Sequence, residues 1–461
     1  VSRPGTRAAG FAAAALALGL GLGFAAPLRG APFPEERDLA GAVARAAGFL
    51  VNAQSPDGAW RSSHYGAFRG GSELTPAIVK ALIALPPSPG RAAAIEKGLA
   101  YLAAMVRPDG SIDAGEHGLG FPVSTAALAV MAFARAADRE GAPARWAGAR
   151  DAWLRFLMRH QLTEDLGWSV GDVDHGGWGY SLDPPRKPAP GTPPDRLASS
   201  NLSSTLLALG ALRAAGVPSD HPAVEKALAF VKRAQNFTEG PGRELAFDDG
   251  GFFAAPGLPA LNKAGPAGTD GAGRERFRSY GSATADGLRA LLAAGVPPDD
   301  ARVTAAIEWL GENYATEWNP GVFVEGREAF RDAYYYYYAW SAAHACARVA
   351  AASFSDYCRM HMLAGGLAGA VLARQRPDGS WSNPLGDAKE DDPLVATALA
   401  VAVLEVWRTF PPPHLGSVPR GVQAENREDG SGLRPAGFGA AFDGDALPAQ
   451  DVRGDLHRRG G

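Results

Sequence analysis

The sequence predicts an all-α fold, an (α/α)6 toroid of six helix pairs in two concentric layers. Three observations point to it. One turn recurs along the 461 residues. The segments between its copies carry helical periodicity almost everywhere. Those segments alternate between half-polar and nearly uncharged.

The turn is clearest in Gln54-Ser-Pro-Asp-Gly-Ala-Trp60, which reappears as Gln375-Arg-Pro-Asp-Gly-Ser-Trp381. Shorter copies are Arg107-Pro-Asp-Gly-Ser-Ile112, His175-Gly-Gly-Trp178, Asp249-Gly-Gly-Phe252 and Asn319-Pro-Gly-Val-Phe323. Copies spaced by roughly 50–70 residues mark a repeat architecture. Glycine permits the left-handed conformation that stops a helix, and Pro-Asp-Gly is a turn sequence in its own right. The aromatic residue is expected to wedge between neighbouring helix pairs, so that Trp60 and Trp381 act structurally. The following helix often opens on a small or hydroxyl residue and Ala, as in Ser124-Thr-Ala126, Ser282-Ala-Thr284 and Ala396-Thr-Ala398.

In chain order, the first members of the pairs are residues 38–53, 91–106, 145–161, 221–235, 300–315 and 359–375. They are amphipathic, and the stretch Ala223 to Gln235 shows the charged stripe that should face water. The second members are 74–85, 123–137, 201–215, 282–294, 332–351 and 393–409. They are nearly uncharged, as in Leu394 to Leu404, and a helix apolar on all sides must be buried. The second members therefore form the inner ring. All six of their N-termini should open on one face, with the long connections gathered there. Three connections are unusually long, Leu162 to Ser200, Asn236 to Gly281 and Thr316 to Arg331, and loops of that length are functional or disordered.

The toroid domain spans 38–410. Ahead of it, Arg3 and Arg7 precede an Ala/Leu/Gly run from Gly10 to Ala26, with small residues following at Gly30 and Ala31. This order reads as a signal peptide over 1–31, cleaved or retained as an anchor, and implies a secreted or periplasmic protein. No later segment is long and apolar enough to span a bilayer. The tail 411–461 lacks periodicity and is expected to be disordered. The net charge of −4 and the lack of a basic stripe argue against nucleic acid as a partner. Cys346 and Cys358 are the only cysteines, and both a disulfide and two buried thiols fit them.

The Gln-x-x-Asp-Gly-x-Trp turns at 54–60 and 375–381 resemble the QW motif of the squalene cyclase and prenyltransferase superfamily. The resemblance covers roughly 38–410. It is closest to secreted bacterial repeat proteins of unclear role, through His175 to Ser181, Asn201 to Thr205, Ser279 to Ser282 and the Tyr334–Tyr338 run. It implies a toroid that either cyclises an isoprenoid by acid catalysis or binds a ligand without chemistry. The chain departs from both catalytic patterns. The Asp-x-Asp-Asp acid motif is absent, since Asp172-Val-Asp-His175 lacks the final Asp and Lys389-Glu-Asp-Asp392 stands too early before Ala396-Thr-Ala398. The Asp-x-Cys zinc pair of protein prenyltransferases is absent too.

Asp172, Asp174 and His175 are the catalytic candidates, because carboxylates beside a histidine suit acid–base work. A solvated loop with Asx turns is the plainer reading of them. Trp178, Tyr180, Asp248, Asp249, Phe252, Tyr280, Tyr334 and Tyr338 are the ligand-binding candidates. Aromatic walls can stabilise a cation, hold an apolar chain or stack on a sugar, and the same rings also suit core packing. Lys389 to Asp392 suits capping of the last inner helix, with Pro393 at its first position. The spacings His344-x-Cys346 and Cys358-x-x-His361 look like metal-ligand spacings, but residues two apart on a helix do not share a face. No metal and no cofactor are expected. The functional expectation is a secreted toroid binding an apolar, glycan or protein ligand in a central aromatic-lined cavity. The alternative is a terpenoid cyclase-type enzyme, and contact with a membrane surface stays open.

Overall fold

A computed structural model describes residues 33–140, 143–192, 196–240, 243–349 and 354–410. The predicted leader over 1–31 and tail over 411–461 lie outside the described residues. The chain forms helices α1 (Glu36–Asn52), α2 (Leu74–Ala84), α3 (Arg91–Ala104), α4 (Pro122–Glu140), α5 (Pro143–Arg159), α6 (Leu202–Ala214) and α7 (Pro222–Arg233). After a short hairpin of β1 (Pro266–Thr269) and β2 (Glu275–Phe277) come α8 (Gly281–Ala293), α9 (Ala301–Glu312), α10 (Ala329–Ala333), α11 (Tyr335–Val349), α12 (Phe354–Ala373) and α13 (Pro393–Thr409).

Helices α2, α4, α6, α8, α11 and α13 pack in succession, and α13 returns to α2, so the inner ring closes. The remaining long helices lie outside it. Burial follows the charge pattern of the sequence. Residues 202–212 of α6 and 281–291 of α8 are buried on every face, whereas α7 buries only the stripe Ala223, Val224, Ala227, Phe230 and Val231. The two-layer all-α toroid expected from the sequence is therefore the architecture observed. The strands were not anticipated. They stiffen the 236–280 connection without altering the fold class.

The recurring turn works as a joint. The amides of Trp60, Trp178, Phe252 and Trp381 donate to Oγ1 of Thr75, Thr205, Thr284 and Thr397 at 3.1, 3.1, 3.0 and 3.0 Å. This is why an inner helix opens on a hydroxyl residue. The side-chain amides of Gln54, Gln161, Gln235 and Gln375 each donate to the carbonyl of the turn glycine, Gly58, Gly176, Gly250 or Gly379. Each also reaches a carbonyl of the next outer helix, at Ala94, Ala223, Arg302 or Ala42. The Gln375–Ala42 bond ties the last repeat to the first across 333 residues. Gly379, at φ +89°, shows why glycine is needed: a Cβ there would lie 2.6 Å from the Arg45 carbonyl oxygen.

Trp60 and Trp381 are fully buried, and their indole N–H groups donate to Leu50 O and Val371 O, each at 2.7 Å. Cys346 is a free buried thiol. The side chain of Cys358 falls outside the described residues. His344 packs against the Trp340 ring and His361 against Trp407. Among the described residues no group of three or more His, Cys, Asp or Glu converges as a metal-ligand set, and no helix is long and apolar enough to cross a membrane.

Candidate functional site at the mouth of the inner ring

The inner helices deliver their N-termini to one face, and the long connections close over it. Leu202 N–H donates to Ala254 O, Val324 N–H to Ala264 O, and the Arg327 guanidinium reaches Asn262 O. Beneath them lies a partly open cavity lined by Leu202, Ser203, Ala254, Lys263, Tyr280, Ser282, Ala283, Asp286, Tyr334 and Tyr337. Its free space is that of about one water molecule.

Each lining group is positioned by its element. Asn201 caps α6 by accepting from Ser204 N–H at 2.9 Å. Asn319 caps α8 through Ser282 N–H at 2.8 Å and donates to Ser282 Oγ at 3.1 Å. Glu390 accepts from the amides of Tyr336 and Tyr337 at 2.9 and 2.8 Å, and so caps α11. The acidic run 390–392 is thus divided. Asp392 caps α13 through Leu394 N–H, as expected from the sequence, and Glu390 serves the neighbouring inner helix instead. Burial pushes Glu390 up to about 8, although the amides it accepts from oppose the shift.

Asp286 is the carboxylate of the cavity. Its oxygens accept from Tyr337 Oη at 2.8 Å and from Ser341 Oγ, which makes a short contact. Burial raises it to about 6 against the pull of Arg289, both hydroxyls and Lys263. Arg289 lies one turn further along α8, over the Trp340 ring at 4.0 Å, and also donates to Ser341 Oγ. Lys263 enters from the 236–280 connection. Its ammonium sits 4.4 Å from the centre of the Tyr334 ring. Burial brings it down to about 7, with Asp286 opposing and Arg327 assisting.

Of the residues singled out in the sequence, Tyr280 and Tyr334 line this cavity, and Tyr180 lies close enough to be influenced electrostatically by Asp286. Tyr338 shares the helix but turns away, donating to Ala315 O at 2.9 Å. Trp178 and Phe252 are the wedges of their turns. Asp172, Asp174 and His175 do not converge. Asp172 pairs with Lys187 at 2.8 Å and accepts from Ser169, which holds it down at about 2. Asp174 points inward, accepts from Ser200 N–H at 3.0 Å, and is raised by burial to about 6. His175 faces Glu164 at 3.1 Å. Asp248 forms an ion pair with Arg276 at 2.8 Å. Asp249 accepts from Gly251 N–H, Ser279 Oγ and Trp309 Nε1. Lys263, Asp286 and Arg289 were missed, and Tyr337 was noted only as part of the Tyr334–Tyr338 run. The visible signal for two of them was Asp286 and Arg289, a charged pair inside an otherwise apolar inner helix.

No family model matches this chain, and no curated protein matches it. Solved structures do. A variant of the type II terpene cyclase MstE from Scytonema, in complex with its product merosterolic acid A, is 16% identical. It aligns over 81% of this chain and 98% of its own, with a TM-score of 0.50. An inactive variant of an α-1,6-mannanase from a Salegentibacter species, in complex with α-1,6-mannotriose, is 12% identical. It aligns over 81% of this chain and all of its own, also at a TM-score of 0.50. At these identities the likeness is one of fold, the α/α toroid, seen with merosterolic acid A in one protein and with α-1,6-mannotriose in the other.

Proposed function

We propose that this protein is a ligand-binding α/α toroid whose ligand enters the tyrosine-lined cavity at the mouth of the inner ring. The observation that carries this reading is the cavity itself. Three tyrosines, a lysine and an aspartate, from two inner helices, the residues just ahead of them and one long connection, meet where all of them can touch a guest. A buried polar cluster of this kind costs stability unless fully satisfied, so its presence in a core that could be apolar points to use. Toroids of this fold have been solved with merosterolic acid A and with α-1,6-mannotriose, and this analogy supports isoprenoid and glycan guests alike. A guest larger than a water needs the 236–280 connection to move outward. Export, proposed from the Arg3/Arg7 and Gly10–Ala26 order alone, would place the ligand outside the cytoplasm.

The test is thermal shift and native mass spectrometry of the full chain against oligosaccharides and against isoprenoid alcohols. Binding should raise the melting temperature in proportion to the logarithm of ligand concentration. Tyr334→Ala should abolish the effect. No shift from either class at millimolar concentration would remove the reading.

One observation favours the second reading, an acid-catalysing cyclase. Asp286 is buried, raised to about 6 and hydrogen-bonded by two hydroxyls, so it holds a proton more readily than an ordinary carboxylate. Against it stands Lys263 in the same cavity, which stabilises the ionised form. Cyclised product from a polyprene incubated with the protein, lost in Asp286→Asn, would establish the second reading over the first.

A further inference from the structure

We infer that the mouth cavity is built to hold the carboxylate of an acidic ligand, with Lys263 as its counter-charge. This rests on the ligand-binding reading above and names the chemistry of the guest.

Lys263 is 7% exposed, yet among the described residues its ammonium donates no hydrogen bond and makes no ion pair. Its one direct partner is the face of Tyr334. A buried cation left this way is costly, and cation–π contact recovers only part of the lost hydration. Asp286 acts on it only through its charge, with no ion pair between the two, while its oxygens accept from Tyr337 and Ser341.

The surroundings favour an anion. Around Lys263 stand Asp286 and Arg289 from α8, Tyr337 from α11, Tyr334 and Tyr280 just ahead of α11 and α8, Tyr180 from the first long connection and Arg327 from the third. The three cations Lys263, Arg289 and Arg327 outnumber the Asp286 carboxylate and Asp387, whose charge reaches Tyr334 from the connection ahead of α13. Glu390 is engaged at the N-terminus of α11, and burial raises it, which favours its neutral form. The local balance is positive although the chain carries a net charge of −4. The first turns of α6 and α8, through Leu202, Ser203, Ser282 and Ala283, form part of the wall, so their partial positive ends add to the field. Ser282 Oγ accepts from Asn319 and donates to no described residue, which leaves its proton for a ligand oxygen.

Size and charge select the anion. Space for about one water fits one oxygen of a carboxylate, with the rest of the ligand toward the opening. A dianion would bring a second negative charge against Asp286, with Lys263 the one cation lining the cavity. A monoanionic carboxylate, on a sugar acid or on an aliphatic or aromatic acid, is the class that matches.

The experiment uses the full chain with sodium acetate as probe, followed by thermal shift and titration calorimetry, with sodium chloride at equal ionic strength as control. Acetate must find Lys263 protonated. A lysine titrating near 7 loses about tenfold in occupancy of its charged form between pH 6 and pH 8, while acetate stays ionised. Acetate affinity should fall by about that factor. Calorimetry in buffers of different ionisation heats should show proton uptake on binding at pH 7.5. Lys263→Met should eliminate binding while leaving the folded protein at least as stable, since a buried charge has been removed. Affinity indifferent to pH, absence of proton uptake in the wild-type protein, or equal shifts from chloride would each overturn the inference. So would phosphate at pH 8 binding more tightly than acetate. Neutral ligands binding the wild-type cavity without any carboxylate response would overturn it and leave the ligand-binding reading standing. No response to any ligand would remove both.

Discussion

Replacing Trp381 with alanine tests the joint on which the whole ring depends. The side chain is fully buried between α12, α13 and α1, and its indole N–H donates to Val371 O at 2.7 Å. Truncation removes a large apolar surface, leaves a cavity and strips the Val371 carbonyl of its partner. Large aromatic-to-alanine changes in a core cost about 3–5 kcal/mol. The unfolding entropy of a domain scales at about 2.1 cal/mol/K per residue, so a toroid running from Glu36 to Thr409 has roughly 0.8 kcal/mol/K. A loss of about 4 kcal/mol should therefore lower the melting temperature by about 5 °C, read by calorimetry or differential scanning fluorimetry. Trp318→Ala is the internal control, because that ring is 44% exposed and should move the transition by about a degree or less. Equal shifts for the two variants, or none for Trp381→Ala, would show that the turn aromatics do not wedge the repeats together.

Thr205→Val keeps the shape but removes the acceptor of Trp178 N–H, and leaving a buried amide unpaired should cost about 1–3 kcal/mol by chemical denaturation. Gly379→Ala should cost more than Gly115→Ala. Both have positive φ, but only at Gly379 would the new methyl strike a backbone carbonyl, whereas Gly115 has open space; similar denaturation midpoints would contradict this. Asp172→Asn breaks an ion pair that is largely in water and should change stability by at most about 1 kcal/mol. Glu390 has its folded-state value raised above the unfolded one. Its contribution is therefore fully present below about 4.5 and is lost as pH rises toward about 8. The melting temperature of wild type relative to Glu390→Gln should fall between pH 5 and pH 8, and a rising difference would reverse the assignment.

The fold was legible because its determinants are local and repeated. Charge content separated inner from outer helices except at α12, an outer helix buried throughout 363–371 rather than amphipathic, and the boundaries of α13 at Pro393 and Thr409 follow the predicted stretch 393–409. The turns were legible only in part. Gln54 and Gln375 stand four residues from their glycines, but Gln161 and Gln235 make the same two bonds to Gly176 and Gly250 at a separation of 15 residues. In these two copies residues are inserted between the glutamine and the glycine, so a fixed spacing finds the turns but hides their glutamines.

The cavity was less legible for a reason of topology. Tyr280 and Tyr334 could be suspected because aromatic residues at the start of an inner helix must lie near the mouth. Lys263 could not, since nothing within its own segment, Leu261-Asn-Lys-Ala264, distinguishes it from a surface lysine. Its burial depends on the 236–280 connection folding back over α6, where Ala254 O accepts Leu202 N–H, and on the third connection pairing Val324 N–H with Ala264 O. Asp286 and Arg289 carry the opposite lesson. Within α8 nearly every other residue from Gly281 to Ala293 is small or apolar, and a helix of that kind must be buried. Two opposite charges three positions apart on such a helix cannot both escape to water, so they must meet partners inside the ring. Tyr337 and Ser341 supply them from α11, and Lys263, among the described residues, keeps only the face of Tyr334.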